Sequence, residues 1–213
     1  MQFGKRTLDF GLWVRVIEGE YMIYDKGIPA DRTDDIVEVL RDDHAELRLL
    51  LSAGAPAGSS EHQEVWLRLA DALVRHAVAE QLVVYPALLE LPAGRAISHS
   101  RTAAHQVILR QLVSLERAGF GTAAFNSAEV RLGLDVLAHL DKEDTQVLPL
   151  LASRFGAHRR AELGRRFVET GRIEPTPRIL PGARLPAGPT IVDHTTALAV
   201  WIRDSAMAQG LAS

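Results

Sequence analysis

His76 and Glu80 stand four residues apart and are followed by Val84, Pro86 and Leu88. Sixty-three residues later His139 and Glu143 stand four apart and are followed by Val147, Pro149 and Leu151. A lone histidine precedes each copy, His44 before the first and His105 before the second. On a helix, residues four apart share a face about one turn apart, so a His-x3-Glu pair can offer a nitrogen and an oxygen to one centre. Two such pairs and two further imidazoles make four nitrogens and two carboxylates. Burying that many ionisable groups is costly unless cations compensate them. A carboxylate can bridge two ions, so the set predicts a pair of divalent cations, each receiving two nitrogens and a share of two carboxylates. Positions remain for a solvent bridge and a small ligand such as oxygen. Imidazole with carboxylate and no thiolate suits iron, with manganese or zinc less favoured.

The elements that must position these groups are helices. Val37, Leu40, His44, Leu47 and Leu51 recur at spacings of three and four, until the breaker run SAGAPAG at 52–58. A second helix can start at Ser60, with Gln63 completing a capping box, and carries Trp66, Leu69, Leu73, His76, Glu80 and Val83 on one face. Pro86 should bend or end it. A third runs over about 98–118 with His105, Ile108, Leu109, Leu112 and Leu115. A fourth starts near Asn126, with Glu129 three residues on, and carries Leu132, Val136, His139, Glu143, Val147 and Leu150. Each singled-out histidine lies on an apolar stripe, so all four point into one core. Short connections predict an all-α, antiparallel up-down-up-down four-helix bundle.

Taken alone, His44 or His105 reads more readily as a hydrogen-bonded core histidine. The duplicated arrangement reverses that balance. The candidate ligands are therefore His44, His76, Glu80, His105, His139 and Glu143, with Asp144 as the alternative to its neighbour. His62, His158 and His194 are expected in surface or structural duty. Tyr85, beside Pro86, could supply a phenol to an iron, although a tyrosine there more often belongs to the core.

These segments resemble the hemerythrin-like, or HHE cation-binding, domain. LVRHAVAEQLVVYPALLEL and LAHLDKEDTQVLPLLA are similar to its two metal-binding helices, RDDHAEL to its first helix and AAHQVIL to its third. The resemblance implies a four-helix bundle around a non-heme di-iron centre with a bridging oxo or hydroxo group. Members bind oxygen, sense oxygen or iron, decompose peroxide, or handle nitric oxide and iron–sulfur repair. This chain departs from the oxygen carriers twice. Their third helix holds a His-x3-His pair, whereas the positions four from His105 are Arg101 and Leu109, and His99 is turned about 120° away. One iron is then less saturated, which favours reactivity over reversible carriage. Arg101, pointing inward, could stabilise a bound peroxide anion. The carriers also use an aspartate five residues after the last histidine; that place is Asp144, but repeat symmetry with Glu80 favours Glu143.

Composition excludes other classes. At 213 residues the chain is long enough for a sizeable core, with 47% apolar and 24% charged residues. A net charge of -3 argues against nucleic acid or a membrane surface as partner. No apolar run suggests a signal or membrane span, so cytoplasmic localisation is expected. The absence of cysteine removes disulfides and thiolate ligands. Residues 1–33 form an N-terminal extension in which 12–24 reads as a hairpin or a poor helix, 34–153 the bundle, and 154–172 a short helix. Residues 173–213 form a Pro/Gly-rich linker and a C-terminal helix that could pack back on the bundle or make a homodimer. Eight arginines over 154–184 read as a solvated face. Two functional readings follow. One is a di-iron oxidoreductase of peroxidase, catalase or oxygenase type acting on O2, peroxide or nitric oxide. The other is an O2- or redox-sensing, or iron-binding, protein without turnover.

Overall fold

The computed structural model describes residues 13–17, 20–24 and 34–171, and the chain divides into two compact units, Met1–Thr33 and Asp34–Ser213. In the first, strands β1 (Trp13–Ile17) and β2 (Glu20–Tyr24) pair antiparallel, with Trp13 opposite Tyr24 and Ile17 opposite Glu20. The density of Val, Ile, Trp and Tyr decides for strands over a helix. The expected linker and C-terminal helix at 173–213, and His194, lie outside the described residues.

The second unit is a helical bundle. Its elements are α1 (Ile36–Ser52), α2 (Ser60–Ala79), α3 (Tyr85–Leu89), α4 (Gly94–Ala118), α5 (Ala123–Lys142), α6 (Leu148–Arg154) and α7 (Ala157–Gly171). Contacts at its ends give the direction of each helix. Gly58, before α2, lies against Gly121, before α5, so those two turns share one end. Asp35, before α1, meets Arg160, which also bonds the Ala152 carbonyl of α6, so the chain enters and leaves at the other end. Successive long helices therefore alternate in direction.

Side-chain caps fix the starts, and they are not always the expected ones. Asp35 accepts from the Val37 amide (3.0 Å). Ser59, not Ser60, accepts from the His62 amide (3.1 Å), and Thr122, four residues before Asn126, accepts from Phe125 (3.1 Å). Helix α4 begins four residues before Ser98 because Gly94 seats directly on α3: a Cβ there would lie 1.6 Å from the Leu88 carbonyl oxygen.

Neither Pro86 nor Pro149 ends its helix. A π-helical turn precedes each, Glu80–Val84 and Glu143–Val147, after which α3 and α6 continue. Each proline sits in the first turn of the segment that follows, where a missing N–H matters least. The repeat is thus one of backbone geometry as well as residues. π-Turns inside α-helices gather at functional sites.

Two apolar cores flank a polar layer. One gathers Leu47, Trp66, Leu73, Leu112, Phe125 and Leu140; the other gathers Leu40, Val83, Leu88, Val147, Leu163 and Phe167. Helices α1 and α2 pass from one core to the other near their histidine, whereas α5 stays in the first core through Leu140 and the second is reached at Val147. Helix α7 belongs to the second core through Leu163 and Phe167, and it is tied down by Arg160 to Asp35 (2.7 Å) and Arg165 to Asp34 (3.2 Å). Part of the expected solvated arginine face is thus a set of clasps. One helix among the described residues, Ser60–Leu89, is long and apolar enough to cross a membrane, and 72% of its most apolar window is buried inside the bundle.

Candidate metal centre

The polar layer contains all six expected side chains, each no more than 3% exposed. Glu80 Oε2 lies 3.2 Å from His76 Nε2, 3.1 Å from His105 Nε2 and 3.9 Å from His139 Nε2. Glu143 Oε2 lies 3.2 Å from His139 Nε2, 3.5 Å from His44 Nε2 and 3.7 Å from His76 Nε2. The donors fall into two overlapping sets, His76–Glu80–His105–His139 and His44–His76–Glu80–Glu143, with the atoms of each within 4.8 Å of one another. Close approach is not matched by hydrogen bonding. His44 Nε2, His76 Nε2, Glu80 Oε1 and Glu143 Oε2 are buried and have no hydrogen-bond partner. Orphaned polar atoms converging from three helices are what a cation satisfies.

Outer partners aim two of the imidazoles. His44 Nδ1 is 2.7 Å from Asp144 Oδ1, which is backed by Arg48, and His76 Nδ1 is 2.6 Å from Asp43 Oδ2. A carboxylate on Nδ1 turns Nε2 inward and raises its basicity. Glu143 therefore holds the inner position and Asp144 the outer one, the order repeat symmetry favours. Nδ1 of His105 and of His139 is buried without any partner, and their Nε2 atoms face each other at 3.0 Å. The two halves share inner donors but differ in support.

Tyr85 belongs to the site and not only to the core. Its hydroxyl lies 2.9 Å from Glu80 Oε2, 2.8 Å from Glu143 Oε1 and 3.2 Å from His105 Nε2, and its ring stacks on His105 with centroids 5.3 Å apart. Asp43 was not singled out by spacing at all; its only sequence signal is adjacency to His44. Of the other singled-out positions, Leu109 is packed in the first core, Arg101 is buried, and His99 and His158 face solvent. His62 is structural: its Nδ1 accepts from the Gly58 amide (3.0 Å), so Nε2 carries the proton and donates to Glu129 (2.8 Å), far along the bundle from the cluster.

Charge is arranged to receive a cation. Burial opposes ionisation of Glu80, but the adjoining His76 and His105 hold its carboxyl well below the ordinary range. Glu143, raised by burial and by Glu80, is brought down to about 2 by His139 and His76. Burial lowers His76, yet Glu80, Asp43 and Glu143 carry it well above its usual value. His105, desolvated and beside His139, falls to about 4 and is neutral at pH 7. Burial and the two glutamates push the Tyr85 phenol up, which keeps it protonated. Without a cation the two carboxylates thus face a protonated His76. A cation needs the His76 lone pair, so loading must displace that proton. Loading at pH 7 in weak buffer is expected to release the His76 proton, and affinity should rise with pH until His76 is neutral in the metal-free state. Calorimetry in two buffers of different ionisation enthalpy measures this, and zero net release would exclude a charged His76.

The hemerythrin HHE cation-binding domain model matches residues 35–152, more than half of the chain. Neither the curated proteins nor the solved structures contain a match to this chain. The matched span begins at the cap of α1, ends within α6 and encloses every residue of the cluster. This chain belongs to the hemerythrin HHE cation-binding domain family.

Proposed function

We propose that the chain is a non-heme di-iron protein that reacts with O2, peroxide or nitric oxide, with His44, His76, Glu80, His105, His139 and Glu143 as its ligands. The observation that carries this reading is the pair of four-residue donor sets sharing His76 and Glu80. Two sets imply two ions, and nitrogen–carboxylate donors without sulfur suit iron. Iron bound there would supply redox chemistry and an acidic position for a small ligand. Leu109 in the apolar core withholds a fifth imidazole, so the donors leave positions open, and that favours turnover over storage. The test is the visible spectrum of anaerobically iron-loaded protein as oxygen is admitted and removed. Irreversible conversion to the ferric state supports turnover; a fully reversible spectrum would replace it with oxygen binding or sensing. Fewer than two irons per chain would sink the di-iron reading.

Tyr85 is the protein's own hydrogen-bond donor at the cluster in this scheme. Its hydroxyl is buried, protonated and within 2.9 Å of both glutamates. Tyr85→Phe is expected to keep two irons per chain while slowing the reaction with peroxide by about 10²-fold or more. Metal analysis beside stopped-flow rates separates the two effects, and an unchanged rate would leave Tyr85 only a packing role.

A further inference from the structure

Arg101 is the one buried arginine among the described residues, 3% exposed. Its single hydrogen bond there runs from Nη2 to Ser100 Oγ (3.0 Å), while Nε and Nη1 have no acceptor. No carboxylate of the described residues lies within ion-pair distance of it. The next residue, Thr102, buries a hydroxyl that is equally without a partner. They precede His105 by four and three residues on the buried stripe of α4, about 6 and about 4.5 Å along the helix axis. A guanidinium in such a place is costly without a counter-charge.

The cluster does not supply that charge. Glu80 and Glu143 are turned to the imidazoles and to Tyr85. Outer carboxylates support His44 and His76 only, through Asp144 and Asp43. His105, which shares the buried stripe of α4 with Arg101, and its neighbour His139 have no carboxylate on Nδ1. Cations entering the cluster add positive charge on the same helix as an arginine that has no carboxylate partner among the described residues.

We propose that Arg101, seconded by Thr102, forms a receiving site for a small oxyanion on the His105–His139 side of the centre. The anion closes the charge balance that the described residues leave open, reaching the N–H groups of Arg101 with one oxygen and the cluster with another. Small oxyanions, from nitrite to formate, have the size and charge for this; a neutral ligand does not use Arg101. The inference rests on the two-cation reading, and its test separates the two.

Sodium formate, a redox-inert probe, is titrated by calorimetry at constant ionic strength into the iron-loaded full chain, with iron per chain measured on the same samples. Wild type is expected to bind formate, Arg101→Leu to bind it at least tenfold more weakly with iron content retained, and Arg101→Lys to fall between them. Equal formate affinity in wild type and Arg101→Leu overturns the proposal, as does no binding to iron-loaded wild type. Too little iron in wild type refutes the two-cation reading alone; formate titrated into metal-free protein then decides, and Arg101-independent binding or none overturns the anion site. Unfolding of the metal-free variants is a second readout. Removing an unpaired buried charge should leave the midpoint of Arg101→Leu unchanged or higher, whereas a guanidinium that merely braces the helices would lower it without touching formate binding. If Arg101→Leu does not fold, the Lys variant carries the affinity comparison.

Discussion

Glu80→Ala is expected to empty both cation positions, not one. A single oxygen, Glu80 Oε2, lies within 3.9 Å of three imidazole nitrogens from α2, α4 and α5, and the other, Oε1, has no partner. Glu80 belongs to both donor sets, so its loss removes a ligand from each and half of the carboxylate charge. Outer-shell losses cost about 10–100-fold in affinity, which sets the scale for Asp144→Ala. An inner ligand shared by two ions should exceed it, so a loss beyond about 100-fold is expected at both positions. The metal-free protein should also suffer. His76 owes its raised affinity for protons largely to Glu80, and removing one partner of a buried charged pair costs about 3–5 kcal/mol. Glu80→Gln keeps the shape and isolates the charge. Iron per chain by elemental analysis is the measurement. One ion retained in Glu80→Ala would mean that the two sets act independently and that Glu80 bridges nothing.

The inner site was legible because two independent signals coincide there. Helical periodicity placed the four histidines on apolar stripes, and the 63-residue repeat placed both glutamates by symmetry. The bundle was legible for the same reason, since the stripes and the breakers between them are local properties of the chain. What escaped is what tertiary contact decides. Tyr85 is five residues after Glu80, and in an α-helix five residues turn about 500°, some 140° away from the glutamate. The structure instead spends those five residues on a π-turn, closed by the Tyr85 amide donating to the Glu80 carbonyl, which returns Tyr85 to the side of Glu80. The same turn in the second half brings round Leu148. The repeat therefore carries a phenol on one side and an aliphatic group on the other, and no periodicity rule expresses that. Asp43 was hidden differently. Exposed carboxylates beside a helical histidine are common, and only the approach of α1 to α2 makes this one the partner of His76.

Glycine to alanine should have opposite signs at two helical positions, and the difference tests how α7 is held. At Gly164 a Cβ would lie 1.7 Å from the Asp34 carbonyl oxygen and 2.7 Å from its carbon, so α7 runs flush against the chain entering α1. Backbone cannot yield as a side-chain tip can. Gly164→Ala must lift the helix, and lifting it withdraws Leu163 and Phe167, 0% and 5% exposed, from the second core. It also strains the clasps from Arg160 to Asp35 and Arg165 to Asp34. The clasps are partly exposed and contribute little; the core contacts dominate. Burial of one such side chain is worth about 1.5–3 kcal/mol, so a loss of roughly 3 kcal/mol or more is expected. At Gly133, inside α5, a Cβ would make an ordinary 3.7 Å contact with the flexible end of Leu51. There the alanine gains helix propensity and should stabilise by about 0.5–1 kcal/mol. Urea unfolding of the metal-free variants measures both. A small effect at Gly164 would mean that α7 rides loosely on the bundle, and its Leu163 and Phe167 would then add little to the core that encloses Tyr85.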